Sequence, residues 1–144
     1  MPGSLMNALK KTMTATALVA SLSLTGCGYN TLQVKDEAVI ASWSEVQNQY
    51  QRRADLIPNL VNTVKGYATH EKETLEGVVE ARSKATQIKV DAADLTPEKL
   101  AEYQKAQGAV TSALGKLLAI TENYPDLKAN QNFLELQAQL EGTE

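Results

Sequence analysis

A row of side chains recurs every three or four residues on both sides of an internal proline. The row contains, in order, Val39, Trp43, Val46, Tyr50, Arg53, Ile57, Leu60, Val64 and Tyr67. Such spacing places the side chains on one face of a helix, as in the heptad seam of a coiled coil. The phase continues across Pro58, although proline lacks a backbone N–H and disfavours helix at the residue before it. We therefore predict either one long helix kinked at Pro58 or two helices that meet there, with Asp55 capping the second.

Arg53 is the one charged member of this row. A guanidinium that faces a helical interface needs a carboxylate or carbonyl partner, because an unpaired buried charge costs several kcal/mol. We expect that partner to be Asp55 or a glutamate from another helix. The alternative is that Arg53 lies at the edge of the seam, with only its aliphatic stem covered.

Two further helices are predicted from their start and stop signals. The first helix ends near Gly66, and a second follows from about Thr69 to Lys89. Thr96 and Pro97 then supply an N-cap and a proline at the first position of a third helix. That helix has a regular seam of Leu100, Tyr103, Gln107, Val110, Leu114, Leu117 and Thr121.

Small residues form a second row beside this seam, at the same spacing. They are Gly108, Ser112, Gly115 and Ala119. Glycine costs a helix about 1 kcal/mol relative to alanine, so two glycines seven residues apart indicate that another backbone approaches closely. We expect packing against another helix of the same chain, and a docking groove for a partner helix is the alternative.

The last helix is predicted to begin at Asn130, which can cap it, and to bury Phe133, Leu136 and Leu140. It is much shorter than the helices it would pack against. We therefore expect that it is truncated and that the chain is a fragment, with apolar side chains between residues 43 and 50 or between 103 and 110 facing water.

The composition argues against several kinds of function. Lys10 and Lys11 are two of the 14 basic residues, so the chain after residue 26 carries 12 basic and 17 acidic side chains. This balance disfavours binding to nucleic acid and adhesion to anionic lipid through a basic patch. The single cysteine excludes an intrachain disulfide, and the single histidine excludes zinc sites with paired histidines. There is no phosphate-binding glycine loop or dinucleotide motif, so no cofactor is expected.

The N-terminal residues predict an exported protein. Lys10 and Lys11 precede an apolar run from Met13 to Leu24, which has the length of a signal peptide and is short for a membrane span. Leu24, Thr25, Gly26 and Cys27 then resemble a bacterial lipobox, in which the cysteine thiol accepts a diacylglycerol. The alternative is an uncleaved signal anchor in which Cys27 is an incidental small apolar residue. We predict a signal peptide over 1–26, a lipidated tether over 27–31 and a helical domain over 32–144.

Catalysis has one candidate cluster, which begins at His70 and continues with Glu71, Lys72 and Glu73. An imidazole beside carboxylates could act as a general base or a metal ligand. Adjacent helical residues point in different directions, however, and the spacing brings together His70 and Glu73 alone. A solvated helix start explains the cluster without further assumptions, so we predict no catalytic and no metal-binding residue.

The stretch RRADLIPNLV, from Arg52 to Val61, resembles the LemA family of bacterial envelope proteins, as does YPDLKANQNF from Tyr124 to Phe133. The resemblance covers nearly all of residues 29–144, and it includes Arg53, Asp55, Pro58 and Asn59. It implies an all-α fold, an antiparallel up-and-down bundle of long helices like a four-helix bundle, held at the membrane by its N-terminus. The family has no established catalytic residues.

Two functions remain open. The first is a non-catalytic envelope lipoprotein that is tethered through acylated Cys27, faces the periplasm or cell exterior, and scaffolds or binds another envelope component. The expected partners are the membrane, reached through the lipid, and an unknown envelope protein, with a homo-oligomer as a further possibility. The second is an accessory envelope hydrolase or metal-dependent enzyme that uses His70 and neighbouring carboxylates.

Overall fold

The structure, a computed structural model, describes residues 3–4, 6–11, 13 and 26–144, with the backbone alone for 26–30. It divides into two compact units, Met1–Ala41 and Ser42–Glu144. In the first unit the described residues are helical, and Val39 is 52% exposed, contrary to its predicted place on a buried seam. Most of the predicted signal segment, with Leu24 and Thr25, lies outside the described residues.

The regular structure of the described chain is helical throughout, which confirms the all-α prediction. The main helices are α1 (Gly26–Lys65), α2 (Lys72–Gln87), α3 (Pro97–Thr121), the one-turn α4 (Pro125–Lys128) and α5 (Gln131–Glu141). A short 3-10 helix, Ala92–Asp94, lies between α2 and α3. The predicted caps of α3 and α5 are present, because the side chain of Thr96 accepts from the N–H of Lys99 and that of Asn130 accepts from the N–H of Phe133.

Helix α1 continues through Pro58 without interruption, so the single-helix alternative is the one observed. Asp55 therefore caps no second helix and accepts a hydrogen bond of 2.9 Å from Nε2 of Gln51 one turn earlier. The helix also begins earlier than predicted. The backbone is already helical from Gly26, where the sequence predicted a tether over 27–31 and a helix from about Leu32.

Hydrogen bonds between helices establish the up-and-down order in the second unit. Arg82 near the end of α2 contacts Ala54 of α1, and Arg53 contacts Gln107 in the first half of α3. Helix α5 runs back along α1, since Asn132 donates to Thr63 and Arg52 lies 3.5 Å from the side-chain oxygen of Gln139. The long helices that follow one another in the chain are therefore antiparallel, as in a four-helix bundle.

The main core lies among α1, α2, α3 and α5. Its fully buried side chains include Ile57, Leu60, Val64, Val78, Leu117, Leu127 and Phe133. Burial of this kind supplies most of the stability of such a bundle, because the apolar faces of the helices leave water together. The predicted seam of α3 is confirmed, and the side chains from Tyr103 to Thr121 on that seam are buried.

Two other members of the predicted α1 seam are exposed. Val46 is 40% exposed and lies in the range 43–50 where the sequence predicted apolar side chains facing water, although Trp43 in the same range is buried. Tyr67 is also 40% exposed because α1 has already ended at Lys65, and its hydroxyl accepts a hydrogen bond from Asn130. The seam is thus buried from Arg53 to Val64, with Trp43 as a separate buried residue.

Candidate functional site

Arg53 is buried inside the bundle, with 3% of its surface exposed. One terminal nitrogen donates to Oγ1 of Thr111 at 2.8 Å, and the other donates to the side-chain oxygen of Gln107 at 2.6 Å and its carbonyl at 3.0 Å. The predicted carboxylate partner is therefore wrong, since amide and hydroxyl oxygens hold the guanidinium instead. Nε of Arg53 is buried, and none of the described residues accepts a hydrogen bond from it.

An aromatic cluster lies beside this guanidinium. The guanidinium carbon of Arg53 lies 4.8 Å from the ring centroid of Tyr50, which is within the range of a cation–π interaction. Tyr50 packs edge-on against Tyr103 with centroids 5.7 Å apart, and Tyr103 lies 5.1 Å from Trp43. Nε1 of Trp43 donates to the carbonyl of Val90 at 2.9 Å. This second, aromatic cluster joins α1, α3 and the segment after α2.

A second contact of this region involves Pro58 of α1 and Arg82 of α2. In a helix the N–H at position 58 would bond to the carbonyl of Ala54, and proline has no N–H to offer. Nε of Arg82 donates to that carbonyl at 2.6 Å, so α2 supplies the missing donor. The next residue, Asn59, accepts at its backbone oxygen from Oγ1 of Thr63. Pro58 is thus accommodated inside α1 by a side chain from another helix.

A cavity of about 240 Å³ lies beside Arg53 and Arg82, between α1, α2 and α3. Its polar lining includes Gln47, Tyr50, Gln51, Arg53, Arg82, Lys89, Asp91, Tyr103 and Gln107. Ile57, Ile88 and Val110 contribute apolar walls. Three cationic side chains and one anionic one therefore line a cavity in a chain whose formal net charge is −3.

Burial shifts the pKa values of two side chains in this region, Arg53 and Tyr103. It lowers the pKa of the Arg53 guanidinium, and attraction to Tyr50, Glu144 and Tyr103 opposes that shift. Burial also raises the pKa of the Tyr103 hydroxyl, an effect that Tyr50 reinforces and the charge of Arg53 opposes. In the part of the chain that the structure describes, neither Arg53 nor Arg82 forms an ion pair.

The row of small residues on α3 is exposed. Gly108, Ser112, Gly115 and Ala119 all face outward, and a Cβ added at either glycine would meet nothing within 4 Å. The predicted close approach of another helix of this chain to the two glycines is therefore absent from the described structure. Ser112 does line an open groove between α2 and α3, together with Gly77.

The cluster that begins at His70 spans the start of α2, with His70 and Glu71 before the helix and Lys72 and Glu73 in its first turn. His70 is exposed, and the carboxylate of the adjacent Glu71 accepts a hydrogen bond of 3.2 Å from the hydroxyl of Tyr124. Among the described residues no group of three histidine, cysteine, aspartate or glutamate side chains is arranged to hold a metal ion. Lys72 and Glu76, which follow, form a surface ion pair within α2.

Comparison with known proteins places these features in a family. A model of the LemA family matches residues 42–144, which is most of the chain. The chain belongs to the LemA family. It is also 32% identical over 97 residues to "Protein LemA" of Metamycoplasma hominis, a match that covers 67% of this chain and 41% of that relative. The match thus spans less than half the length of the relative.

The LemA match includes Trp43, the Arg53 cavity and all of α2 to α5. It begins at the residue where the second compact unit begins. Gly26 and Cys27 precede it, and their backbone lies at the start of α1. Among the described residues, none of the helices contains an apolar stretch of the length that a membrane span requires.

Sequence reasoning missed two residues of this site. Gln107 was assigned to a packing seam, although it is the main partner of Arg53. Arg82 carries no predicted role. Its role was accessible in principle, because a proline inside a predicted helix always leaves the carbonyl four residues earlier without its donor.

Proposed function

We infer that this LemA family protein is a non-catalytic envelope lipoprotein that is anchored through acylated Cys27 and binds another envelope component with its helical bundle. The observation that carries this proposal is the sequence Leu24, Thr25, Gly26 and Cys27 directly after an apolar run of signal-peptide length. Stable anchoring by lipid needs two acyl chains, and a diacylglycerol on one cysteine supplies both. The chain has more acidic than basic residues, so a covalent lipid is a better membrane anchor for it than a basic patch.

The surface of the second unit supports a binding role. An open groove of about 920 Å³ lies between α1 and α2, and its apolar residues include Val61, Leu75 and Val79. Val79 is 49% exposed, so a large apolar side chain faces water in this groove. Exposed apolar surface with a charged rim is typical of a site that binds another protein. Lys72, Glu76, Glu80 and Lys84 form that rim.

The anchor is tested by expressing the chain with its own N-terminus in a bacterium, as wild type and as Cys27→Ser. The wild type should incorporate labelled fatty acid and sediment with membranes, and an inhibitor of lipoprotein signal peptidase should block its processing. Cys27→Ser should lose the label. A double variant, Cys27→Ser with Ser44→Cys, is the matched control, because it keeps one thiol but outside the lipobox. Membrane recovery of Cys27→Ser at the mature size would contradict the anchor.

The binding role is tested by crosslinking in intact cells followed by purification of the lipidated protein. Val79→Glu places a charge in the groove and should abolish recovery of the bound component. Leu134→Glu is the matched control, since Leu134 is exposed to a similar extent, 44%, and does not line the groove. Equal recovery with both variants would contradict this surface as the binding site.

A further inference from the structure

The cavity beside Arg53 combines positive charge with an incomplete set of partners. Arg53 is buried with neutral oxygens around its terminal nitrogens and an unpartnered Nε. Removing a charge from water without an opposite charge in contact is costly, and neutral hydrogen-bond acceptors compensate that cost in part. Glu144 attracts Arg53 electrostatically but forms no ion pair with it. An anion in the cavity would complete the compensation.

Arg82 provides the groups that could hold such an anion. Its Nε is occupied by the carbonyl of Ala54, whereas no hydrogen bond from its two terminal nitrogens is present among the described residues. Two parallel N–H groups of a guanidinium match the two oxygens of a carboxylate. Lys89 adds a third positive charge to the lining, against the single negative charge of Asp91.

The size and the walls of the cavity limit the anion. A volume of about 240 Å³ is much larger than a single water needs and smaller than the usual range for drug-sized ligands. Ile57, Ile88 and Val110 offer an apolar surface for a short hydrocarbon body. A phosphate ion has no hydrocarbon body to cover these walls. The apolar walls therefore favour an organic anion.

We propose that this cavity binds a small organic carboxylate with a short apolar body, with Arg82 holding the carboxylate and Arg53 supplying the buried positive charge behind it. The carboxylate belongs either to a free short-chain acid or to the C-terminal residue of a peptide, and both present the same group. This site is independent of the lipid anchor and of the groove at Val79.

The chain contains three arginines, which makes the test specific. Arg53 and Arg82 line the cavity, whereas Arg52 does not and is exposed. The full chain, labelled with nitrogen-15 in non-ionic detergent, is titrated with N-acetyl-leucine, isovalerate, inorganic phosphate and the neutral N-acetyl-leucinamide. The Nε–H signals of Arg53 and Arg82 should shift saturably with the two carboxylates, and that of Arg52 should not.

Variants assign the binding to Arg82. Arg82→Gln should weaken carboxylate binding by about tenfold or more, since a hydrogen bond to a charged group is lost. Arg52→Gln removes the same charge from the neighbouring surface and should change the affinity less than about twofold. Stronger binding of N-acetyl-leucine supports a peptide C-terminus, and stronger binding of isovalerate supports a free acid.

Three results would overturn the proposal. The first is equal binding of N-acetyl-leucine and its neutral amide, because the charge would then play no part. The second is a saturable shift confined to Arg52, and the third is tighter binding of phosphate than of either carboxylate. The titration of the wild-type chain keeps the test decisive even if Arg82→Gln fails to fold.

Discussion

Nε of Arg82 donates a hydrogen bond of 2.6 Å to the carbonyl oxygen of Ala54, which Pro58 leaves without its donor in α1. A buried carbonyl without a partner is destabilising by about 1 to 3 kcal/mol. The contact therefore explains how a proline is tolerated inside a long helix, and it fixes α2 against α1 at this position. It also holds Arg82 at the wall of the cavity beside Arg53.

A double-mutant cycle tests this relationship. Arg82→Ala should lower the free energy of unfolding by about 1 to 3 kcal/mol. Pro58→Ala restores an N–H that can bond to Ala54, so Arg82→Ala should cost less in that background, with a coupling energy of about 0.5 to 2 kcal/mol. Urea unfolding of the four proteins measures the cycle, and strictly additive effects would contradict the assigned role.

Arg53 should be sensitive even to a conservative change. Arg53→Lys keeps the charge but cannot reach Thr111 and Gln107 with two separate nitrogens, so it should destabilise the fold by about 1 to 3 kcal/mol. Arg53→Ala should cost more because it also leaves a cavity. The adjacent Arg52→Ala, on the exposed side, is the control and should stay within about 0.5 kcal/mol of wild type. Similar unfolding midpoints for Arg53→Lys and Arg52→Ala would show that the paired hydrogen bonds of the Arg53 guanidinium contribute nothing to stability.

The exposed glycines of α3 should accept alanine. Because a Cβ at Gly108 or Gly115 meets nothing within 4 Å, Gly→Ala at each should raise the free energy of unfolding by about 0.5 to 1 kcal/mol. Chemical unfolding of each single variant measures the change. A loss of stability on substitution would reveal a neighbour that packs on this row in solution, which is the partner groove considered from the sequence.

Much of the fold follows from spacing. The caps at Thr96 and Asn130 and the seam of α3 were predictable because they depend on local chemistry and on the helical repeat. The exposure of Val46 agrees with one of the two ranges, 43–50 and 103–110, in which the sequence predicted apolar side chains facing water, but the repeat alone did not say which range. The small-residue row was misinterpreted for a similar reason, since two glycines permit close approach without requiring it.

The site was partly predictable. Burial of Arg53 was one of two alternatives that its place on a seam allowed, and its neutral partners were not predicted, because charge pairing favours a carboxylate and Gln107 carries no charge. The aromatic cluster brings Trp43 and Tyr50 of α1 together with Tyr103 of α3. It was not predictable, because the sequence of either helix alone does not say how the two helices are aligned along their length.

Stability should fall at alkaline pH through Tyr103. Burial raises the pKa of its hydroxyl in the folded state, so the folded state holds this proton more tightly than the unfolded state. Its contribution is fully present below about pH 10, the usual tyrosine pKa, and is lost as the pH rises through the folded-state value. Urea midpoints at neutral and alkaline pH should therefore differ more for wild type than for Tyr103→Phe. Tyr67→Phe is the control at an exposed tyrosine, and equal pH dependence in wild type and Tyr103→Phe would contradict this account.

The anchor at Cys27 is tested most directly by mass spectrometry of the mature protein extracted from membranes. We predict a chain whose first residue is Cys27, with its sulfur in a thioether bond to diacylglycerol, because the proposed lipobox places the cleavage point between Gly26 and Cys27. The N-terminal peptide should carry this lipid, and Cys27→Ser should yield no such peptide. A mature chain that retains residues before Cys27, or that carries Cys27 as a free thiol, would contradict the assignment as an envelope lipoprotein.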